Sequence, residues 1–278
     1  MKTHAMKILV PIDFTEVTEN ALRYAIGLGD TLPVQTITLF HVVASEKDAP
    51  VAESNLDKLI EKYKGQTRAT LDSSVMPGNI FDKIGKAAVD QNAALIIMGT
   101  HGIKGMQRII GSRAMKVITQ SETPYIVVQQ KPYKKIEKIM VPVDSSREGK
   151  QLLPLLEKLN QKFAASMLLV KQTTKDEFLN NKIRNNLSHF KSYLSDGGTA
   201  HSEAGGFAAS SKYKDVLQEA KTTHADLLVT TIDPETDITD YVMGVEEQKL
   251  VANELQIPVL CVNIKHFMNR KGGIFELM

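Results

Sequence analysis

The stretch "KILVPIDFT" at residues 7–15 recurs as "KIMVPVDSS" at residues 138–146, and this repeat decides how the chain is organised. The two stretches share a lysine, a valine, a proline and an aspartate at an offset of 131 residues. Further on, "AALIIMGT" at residues 93–100 aligns with "ADLLVTTI" at residues 225–232. A repeat that spans about half of a chain predicts two copies of one domain rather than an array of short units.

The domain boundary is predicted from composition. Residues 129–138, "QQKPYKKIEK", are polar, rich in lysine and contain a proline, as is typical of a linker. We therefore expect a first domain at residues 1–130 and a second domain, followed by a C-terminal tail, at residues 131–278.

Each half alternates short apolar runs with segments of helical length. The run from Ile8 to Ile12 is continuously apolar, as expected of a strand buried on both faces of a parallel sheet. This alternation predicts an α/β fold of two tandem doubly wound domains, each a five-stranded parallel sheet with helices on both faces. In the first half we expect strands at 8–12, 36–43, 67–75, 94–98 and 125–129, and helices at 15–29, 51–64, 80–91 and 112–120. The second half repeats this order with weaker signals, and its third strand, near residues 198–206, has the weakest.

Composition excludes several classes of protein. The 278 residues are 42% hydrophobic and 24% charged with a formal net charge of +2, which is typical of a globular protein and gives no reason to expect nucleic acid or a membrane as a partner. Cys261 is the only cysteine, so no intrachain disulfide is possible. The first residues have no apolar signal core, and no apolar run is long enough to span a membrane. A cytoplasmic location is therefore expected.

A glycine-rich loop follows the fourth predicted strand. The stretch "MGTHGIKGMQRIIGS" at residues 98–112 contains four glycines and leads into a helix. Glycine allows close backbone approach, and successive N–H groups at a helix start form an anion site. Lys104, Arg108 and Arg113 add positive charge, and Ser112 adds a hydroxyl. The loop therefore predicts phosphate binding, although glycine-rich loops also serve simply as turns.

Asp13 follows the first strand and is predicted to lie at the same edge of the sheet as this loop. A carboxylate would repel phosphates, so we expect it to face donors such as an exocyclic amine or ribose hydroxyls. The two features together suggest a nucleotide, with adenine as the base. The alternative is that Asp13 caps the helix that begins near Thr15. His101 is interpreted as a loop histidine rather than a catalyst. The chain has none of the P-loop, dinucleotide-binding, hydrolase or zinc motifs.

Five segments together resemble the universal stress protein family: "KILVPIDFT", "LFHVV", "LIIMGTHG", the terminal "GS" of the loop and "TPYIVV". They cover nearly all of residues 6–130, and residues 136–264 resemble a degenerate copy. The family signature is G-2x-G-9x-G-[ST]. Here Gly99 and Gly102 fit, but eight residues rather than nine separate Gly102 from Gly111.

The resemblance implies an adenine nucleotide alpha hydrolase-like fold, pairing between domains through the fifth strands, and ATP or another adenine nucleotide, with or without Mg²⁺, in the first half. It also implies a role for each matching position. Asp13 and the backbone of Val42 would meet adenine, and Met98 and Gly99 would flank the ribose. The phosphates would lie against Gly102, Gly111, Ser112 and Arg113, with His101 beside them, and Pro11 and Thr15 would border the pocket.

The second half lacks the glycine loop. In its place stands "TIDPETDITDYVMGVEE" at residues 231–247, with carboxylates at Asp233, Glu235, Asp237 and Asp240. Like charges about 4 Å apart repel by roughly 1 kcal/mol in water and more near a protein surface, so these acids oppose phosphate binding. The spacing does not match a calcium-binding loop. We interpret the segment as a solvated acidic face or a partner surface, and Asp144 as a remnant or a helix cap.

Three functions are compatible with these features. The first is a nucleotide-binding stress-response module loaded only in the N-terminal domain. The second is a slow ATPase, for which the sequence offers no catalytic residue, because Asp13 is already assigned to the base. The third is an adaptor without a ligand. We expect the two halves to form an intramolecular pseudo-dimer, and two chains to be able to pair further. The tail at residues 265–278 either docks on a neighbour or is frayed.

Overall fold

The structure is a computed structural model that describes residues 6–100, 121–232 and 249–263. Its strands are β1 (Met6–Pro11), β2 (Val34–Val43), β3 (Thr70–Pro77), β4 (Leu95–Gly99), β5 (Tyr125–Val128), β6 (Lys138–Val143), β7 (Ser166–Thr173), β8 (His201–Ala208), β9 (Leu227–Ile232) and β10 (Val259–Asn263). Its longer helices are α1 (Glu16–Gly29), α2 (Ala49–Tyr63), α3 (Ile80–Asp90), α4 (Leu153–Phe163), α5 (Glu177–Asp196) and α6 (Lys212–Thr223).

The strands of the described residues form one ten-stranded sheet in the order β3-β2-β1-β4-β5-β10-β9-β6-β7-β8. The order 3-2-1-4-5 of the first five strands recurs as 8-7-6-9-10 in the second five. Pairing within each set is parallel. The α/β class with parallel sheets, predicted from the alternation of strands and helices, is confirmed.

The two half-sheets join through their fifth strands. β5 and β10 run antiparallel, with Val127 opposite Val259 and Tyr125 opposite Cys261. Each of these strands is buried along its whole length. Two fifth strands can therefore meet within one chain, as the family resemblance implied.

Helices cover both faces of the sheet. Successive residues of a strand point to opposite faces. Accordingly, Ile8 and Val10 pack into one apolar core and Leu9 into the other. The first core receives apolar residues from α1, α2, α4 and α5. The second receives them from α3 and α6. Because both faces are buried, β1 and β4 have the continuous apolar sequences from which they were predicted.

Most predicted elements of the first half lie within three residues of the observed bounds. The helix predicted at 112–120 lies outside the described residues. In the second half, the weak third strand is observed as β8 (His201–Ala208), and its register against β7 shifts between Leu169 and Lys171. Such an irregularity weakens the alternating pattern from which a strand is predicted.

The segment predicted as a linker is packed rather than free. The Tyr133 ring lies edge-on to Tyr24 of α1, with centroids 5.2 Å apart. A Cβ atom on Gly27 would lie 2.4 Å from the Tyr133 ring, so glycine is required there. The Asn20 amide donates to the carbonyl oxygens of Gln129 and Lys131, at 2.6 and 2.9 Å. Composition indicated a connection, but it could not indicate these contacts.

No helix among the described residues combines the length and the apolar character needed to cross a bilayer.

Candidate functional site

A cleft lies at the carboxyl ends of β1 and β4, where ligands bind in open α/β sheets. Five of the predicted site residues line it together: Pro11, Asp13, Thr15, Met98 and Gly99. Ile12, Val17, Thr18 and Ile80 complete the lining among the described residues. The topology thus brings the end of the first strand and the end of the fourth into one site, as predicted.

The other predicted site residues are placed differently. Val42 lies on the neighbouring strand β2, half-buried, and packs on the same core as Met98, but it does not line the cleft. His101, Gly102, Gly111, Ser112 and Arg113 lie outside the described residues.

Asp13 organises the turn that connects β1 to α1. Its Oδ1 accepts hydrogen bonds from the Thr15 backbone N–H at 3.0 Å, the Thr15 hydroxyl at 2.5 Å and the Thr18 hydroxyl at 2.8 Å. The Asp13 N–H in turn donates to Thr18 Oγ1 at 3.3 Å. Thr15 is the N-cap residue of α1, as predicted, although its own side chain makes no capping bond. Asp13 is thus not the N-cap of α1, but its carboxylate fixes the start of that helix, which agrees in part with the predicted capping role.

Gly99 is required by the fold before any ligand is considered. A Cβ atom at Gly99 would lie 2.5 Å from the carbonyl oxygen of Val17, closer than any real contact of this kind. The first turn of α1 therefore packs directly on the end of β4. The sequence interpretation assigned this glycine to close approach of a ligand, whereas the observed close approach is by protein backbone.

Phe14 and His41 form a ring contact that the sequence did not indicate; neither lines the cleft, but Phe14 stands between the lining residues Asp13 and Thr15. Phe14 has a φ of +64°, in the left-handed region, and 40% of its surface is exposed. Its ring centroid lies 4.7 Å from that of His41. His41 Nδ1 lies 2.6 Å from the carbonyl oxygen of Ile12. Left-handed backbone at a non-glycine residue costs of order 1–3 kcal/mol and concentrates at functional sites.

Two further lining residues were not among the predicted site residues. Thr18 lies three positions after Thr15, and this spacing of hydroxyls at a helix start could have indicated its bond to Asp13. Ile80 is the first residue of α3, which begins directly after the turn at Gly78. Its place in the cleft depends on how α3 crosses the sheet, and no local signal indicates that.

The equivalent crevice of the second half is lined by different chemistry. Asp144 accepts a hydrogen bond from the Ser146 N–H at 2.9 Å, as Asp13 does from Thr15. The Asn186 amide of α5 donates to the carbonyl oxygens of Asp144 and Ser146, at 2.8 and 2.7 Å. Lys212 also lines this crevice. Asp144 therefore fixes the turn after β6 but does not cap a helix, because the helical turn Glu148–Leu152 that follows has Arg147 as its N-cap and no side-chain capping bond. The acidic residues at 233–240 lie outside the described residues.

Within residues 6–100, 121–232 and 249–263, no group of three or more His, Cys, Asp or Glu side chains could hold a metal ion.

Comparison with known proteins finds sequence similarity in the first half of the chain. Residues 5–129 match the model of the Universal stress protein family. A universal stress protein of Methanocaldococcus jannaschii is 26% identical over 155 residues, covering 45% of this chain and 95% of that protein. A second from the same organism is 27% identical over 139 residues, covering 45% and 82%.

Solved structures extend the comparison to the second half. The crystal structure of a universal stress protein from Archaeoglobus fulgidus matches with a TM-score of 0.73 and covers 94% of this chain and 97% of that one. At 14% identity, this likeness shows that the fold is shared along nearly the whole chain. The sequence matches thus show that residues 5–129 are similar to the universal stress protein family, and the structural match adds the shared fold alone.

Proposed function

We propose that the cleft at the ends of β1 and β4 binds ATP or another adenine nucleotide. The observation that carries this proposal is the convergence of the Asp13 turn with the residue at which the glycine-rich loop begins, Gly99. Pro11, Ile12 and Met98 give this cleft apolar walls suited to a base.

Different residues would bind the base and ribose of the nucleotide and its phosphates. Asp13 supplies an acceptor for the exocyclic amine of adenine or for ribose hydroxyls. The phosphates are assigned to Gly102, Gly111, Ser112 and Arg113 from the sequence pattern, because backbone N–H groups at a helix start favour anions. Mg²⁺ would enter the site bound to the phosphates of ATP.

We further infer that residues 131–278 are a degenerate second copy of the domain at residues 1–130. The repeated strand order and the pairing of β5 with β10 support this inference. The second crevice has no counterpart of the glycine loop in its sequence, so we propose that only the first half binds nucleotide. The chain is then an intramolecular pseudo-dimer with a single ligand, and two chains could pair further.

The output we propose is regulatory rather than catalytic. A bound nucleotide shifts a conformational equilibrium only by its differential affinity for the two states, and a stress-response partner would recognise the favoured state. A cytoplasmic site of action remains our proposal.

The experiment compares two matched aspartates, each of which accepts a hydrogen bond from the N–H two residues on. Asp13→Asn and Asp144→Asn both keep that acceptor, so neither should unfold its turn. ATP at about 100 times its dissociation constant should raise the free energy of unfolding of the natural protein by about 2.7 kcal/mol. We expect Asp13→Asn to weaken ATP binding by about tenfold or more, and Asp144→Asn to leave it unchanged.

The same measurement, with and without Mg²⁺, separates the alternatives. Absence of any ATP-dependent stabilisation, together with absence of nucleotide in an acid extract of the purified protein, would favour the adaptor. Equal weakening by Asp13→Asn and Asp144→Asn would contradict the assignment of the nucleotide to the first half. Steady phosphate release that disappears in Asp13→Asn would favour the ATPase.

A further inference from the structure

The two halves of the chain differ at the carboxyl ends of their first strands. In the second half, β6 pairs with β7 as far as Val143 opposite Lys171. In the first half, β1 pairs with β2 only as far as Pro11 opposite Phe40. The sequence repeat aligns Ile12 with Val143, so the first ladder stops one residue short of the second.

The bond that the first ladder lacks follows from the geometry of parallel strands. The Ile12 N–H donates to the Phe40 carbonyl oxygen at 2.8 Å. In a regular parallel ladder the next bond would join the Val42 N–H to the Ile12 carbonyl oxygen. The ladder ends before this bond, so within the described residues Val42 does not donate to that oxygen.

The His41 side chain takes the place of the missing donor. His41 Nδ1 lies 2.6 Å from the Ile12 carbonyl oxygen. Because a carbonyl oxygen only accepts hydrogen bonds, Nδ1 carries the hydrogen. The same ring packs on Phe14, with centroids 4.7 Å apart. His41 therefore contacts the residues on both sides of Asp13.

The second half shows the arrangement without this histidine. Lys171 stands at the position of His41, and its ammonium group pairs with Glu203 of β8 at 3.6 Å. The pairing of Val143 with Lys171 includes a bond from the Gln172 N–H to the Val143 carbonyl oxygen. The N–H that corresponds to that of Val42 is thus already used within the sheet.

The Val42 N–H faces the space beyond the end of β1. Phe40 bonds with the β1 side of the sheet, whereas the Val43 carbonyl oxygen accepts from the Gly78 N–H on the β3 side, at 2.9 Å. Backbone groups of alternate residues face the same neighbouring strand, so those of Val42 face the β1 side. Ile12 lines the nucleotide cleft on that side. A backbone N–H without a partner in the sheet favours a ligand that brings an acceptor.

We propose that His41 is a positioning residue of the nucleotide cleft, which keeps the Val42 N–H available to the base by occupying the Ile12 carbonyl oxygen. This inference rests on the nucleotide binding proposed above. The base must then present an acceptor to Val42. Adenine has one at N1, beside its exocyclic amine, whereas the hypoxanthine of ITP carries a hydrogen on the same nitrogen. The site should therefore prefer ATP to ITP.

The test measures ATP and ITP binding by calorimetric titration of the full-length protein and of two variants at His41. His41→Phe keeps a ring against Phe14 but removes the donor, so the Val42 N–H can bond to the Ile12 carbonyl oxygen instead. We expect this variant to weaken ATP by about tenfold and ITP by less than about threefold. His41→Asn places an amide nitrogen where Nδ1 lies, so it should keep ATP binding within about threefold of the natural protein.

Amide hydrogen exchange at Val42 gives a readout that a general loss of binding would not imitate. In the free natural protein this amide should exchange readily, and ATP should slow it by about tenfold or more. In His41→Phe it should exchange that slowly without ATP. His201→Phe is the matched control, because His201 Nδ1 also lies near a backbone carbonyl oxygen, that of Thr199 at 2.9 Å, but in edge strand β8. It should change neither the preference for ATP nor the exchange of Val42.

The outcomes separate this inference from the proposed function. Equal weakening of ATP and ITP by His41→Phe would overturn the role of His41 and leave nucleotide binding in place. The same holds if ATP binds the natural protein without slowing exchange at Val42, a result that does not require any variant to fold. Failure of the natural protein to bind ATP would overturn the proposed function, and this inference with it.

Discussion

Gly99 illustrates how one residue can serve the fold and still be positioned to serve a ligand. Its missing Cβ makes room for the Val17 carbonyl oxygen, and the same residue lines the proposed nucleotide cleft. A glycine at this point allows α1 to pack directly on β4, which brings the start of α1 to the cleft. The side of Gly99 that faces Val17 is therefore structural whatever the cleft binds.

Substitution of Gly99 tests this close contact. We expect Gly99→Ala to lower the free energy of unfolding by about 1–3 kcal/mol, because the new methyl group would push Val17 and with it the first turn of α1. Gly85→Ala is the control: it lies inside α3, and its nearest neighbour would be Ser121 Oγ at 3.9 Å. That change should stabilise the protein by about 0.5–1 kcal/mol. Urea denaturation measures both, and a neutral Gly99→Ala would contradict the contact.

The role of a residue could be predicted from the sequence when it depends on residues nearby in the chain, and could not when it depends on distant ones. Thr15 was predicted as the cap of α1 because capping depends on neighbouring residues alone. The contact of Gly99 with Val17 joins positions 82 residues apart and depends on how α1 crosses the sheet. The left-handed backbone at Phe14 has no sequence signal, because such conformations are expected at glycine or asparagine rather than phenylalanine.

Helices α1 and α2 are joined by a small polar cluster around Glu19. Its carboxylate accepts hydrogen bonds from Lys62, from the Tyr63 hydroxyl at 2.5 Å and from Arg23 at 3.3 Å. Burial raises the pKa of Glu19, but the hydrogen bonds from Lys62 and Tyr63 outweigh burial and hold it below its ordinary value. The charged form of Glu19 thus ties two helices of one face together.

This lowered pKa makes part of the stability depend on pH. A carboxyl whose pKa is lower in the folded state stabilises the protein above its unfolded pKa of about 4.3, and this contribution is lost as the pH falls through the folded value. At pH 7 we expect Glu19→Gln to lower the free energy of unfolding by about 1 kcal/mol. The deficit should shrink as the pH falls below the unfolded pKa and disappear once the pH is below the lowered folded pKa, where the natural side chain is protonated too.

Glu61→Gln provides the control for this pH series. Glu61 pairs with Lys64 on the surface of α2, and both side chains are mostly exposed, so its removal should cost no more than about 0.3 kcal/mol at any pH. Thermal unfolding followed by circular dichroism from pH 3 to 7 would measure both variants. A Glu19→Gln deficit of the same size at both ends of the range would mean that packing, not charge, accounts for it.

Strands could be predicted from the sequence where their hydrophobic pattern was strong. Strands buried on both faces read as apolar runs, and this pattern located β1, β4 and β5 closely. β8 was difficult because it lies at the edge of the sheet, carries two glycines and is half-exposed. β8 pairs with one strand rather than two, so fewer of its residues are buried and its hydrophobic pattern is weaker.

The joining of the two half-sheets involves few direct strand contacts. Three residue pairs define the register of β5 against β10.

Side chains beside the β5–β10 pair also hold the two half-sheets together. Gln129 is buried, and its side-chain amide donates to the Asn253 carbonyl oxygen at 2.7 Å. The backbone carbonyl oxygen of Gln129 accepts a hydrogen bond from the Asn20 side chain of α1. Asn253 in turn fixes the local chain through bonds with Leu250 and Ile257. The sequence repeat predicted that two similar units would meet, but not that Gln129, assigned to a linker, would help to hold them.

Removal of the Gln129 amide should therefore weaken the junction more than it weakens either half. We expect Gln129→Ala to lower the free energy of unfolding by about 1–3 kcal/mol, because it leaves the buried Asn253 carbonyl oxygen without this donor. Amide hydrogen exchange should rise first along β5 and β10, and much less along β2 or β7. Gln161→Ala is the control, since that glutamine is exposed on α4 and bonds only to Glu157, and it should change stability by less than about 0.5 kcal/mol. If Gln129→Ala matched this control, or if exchange rose evenly over all ten strands, the junction would be held by the strand pairing alone.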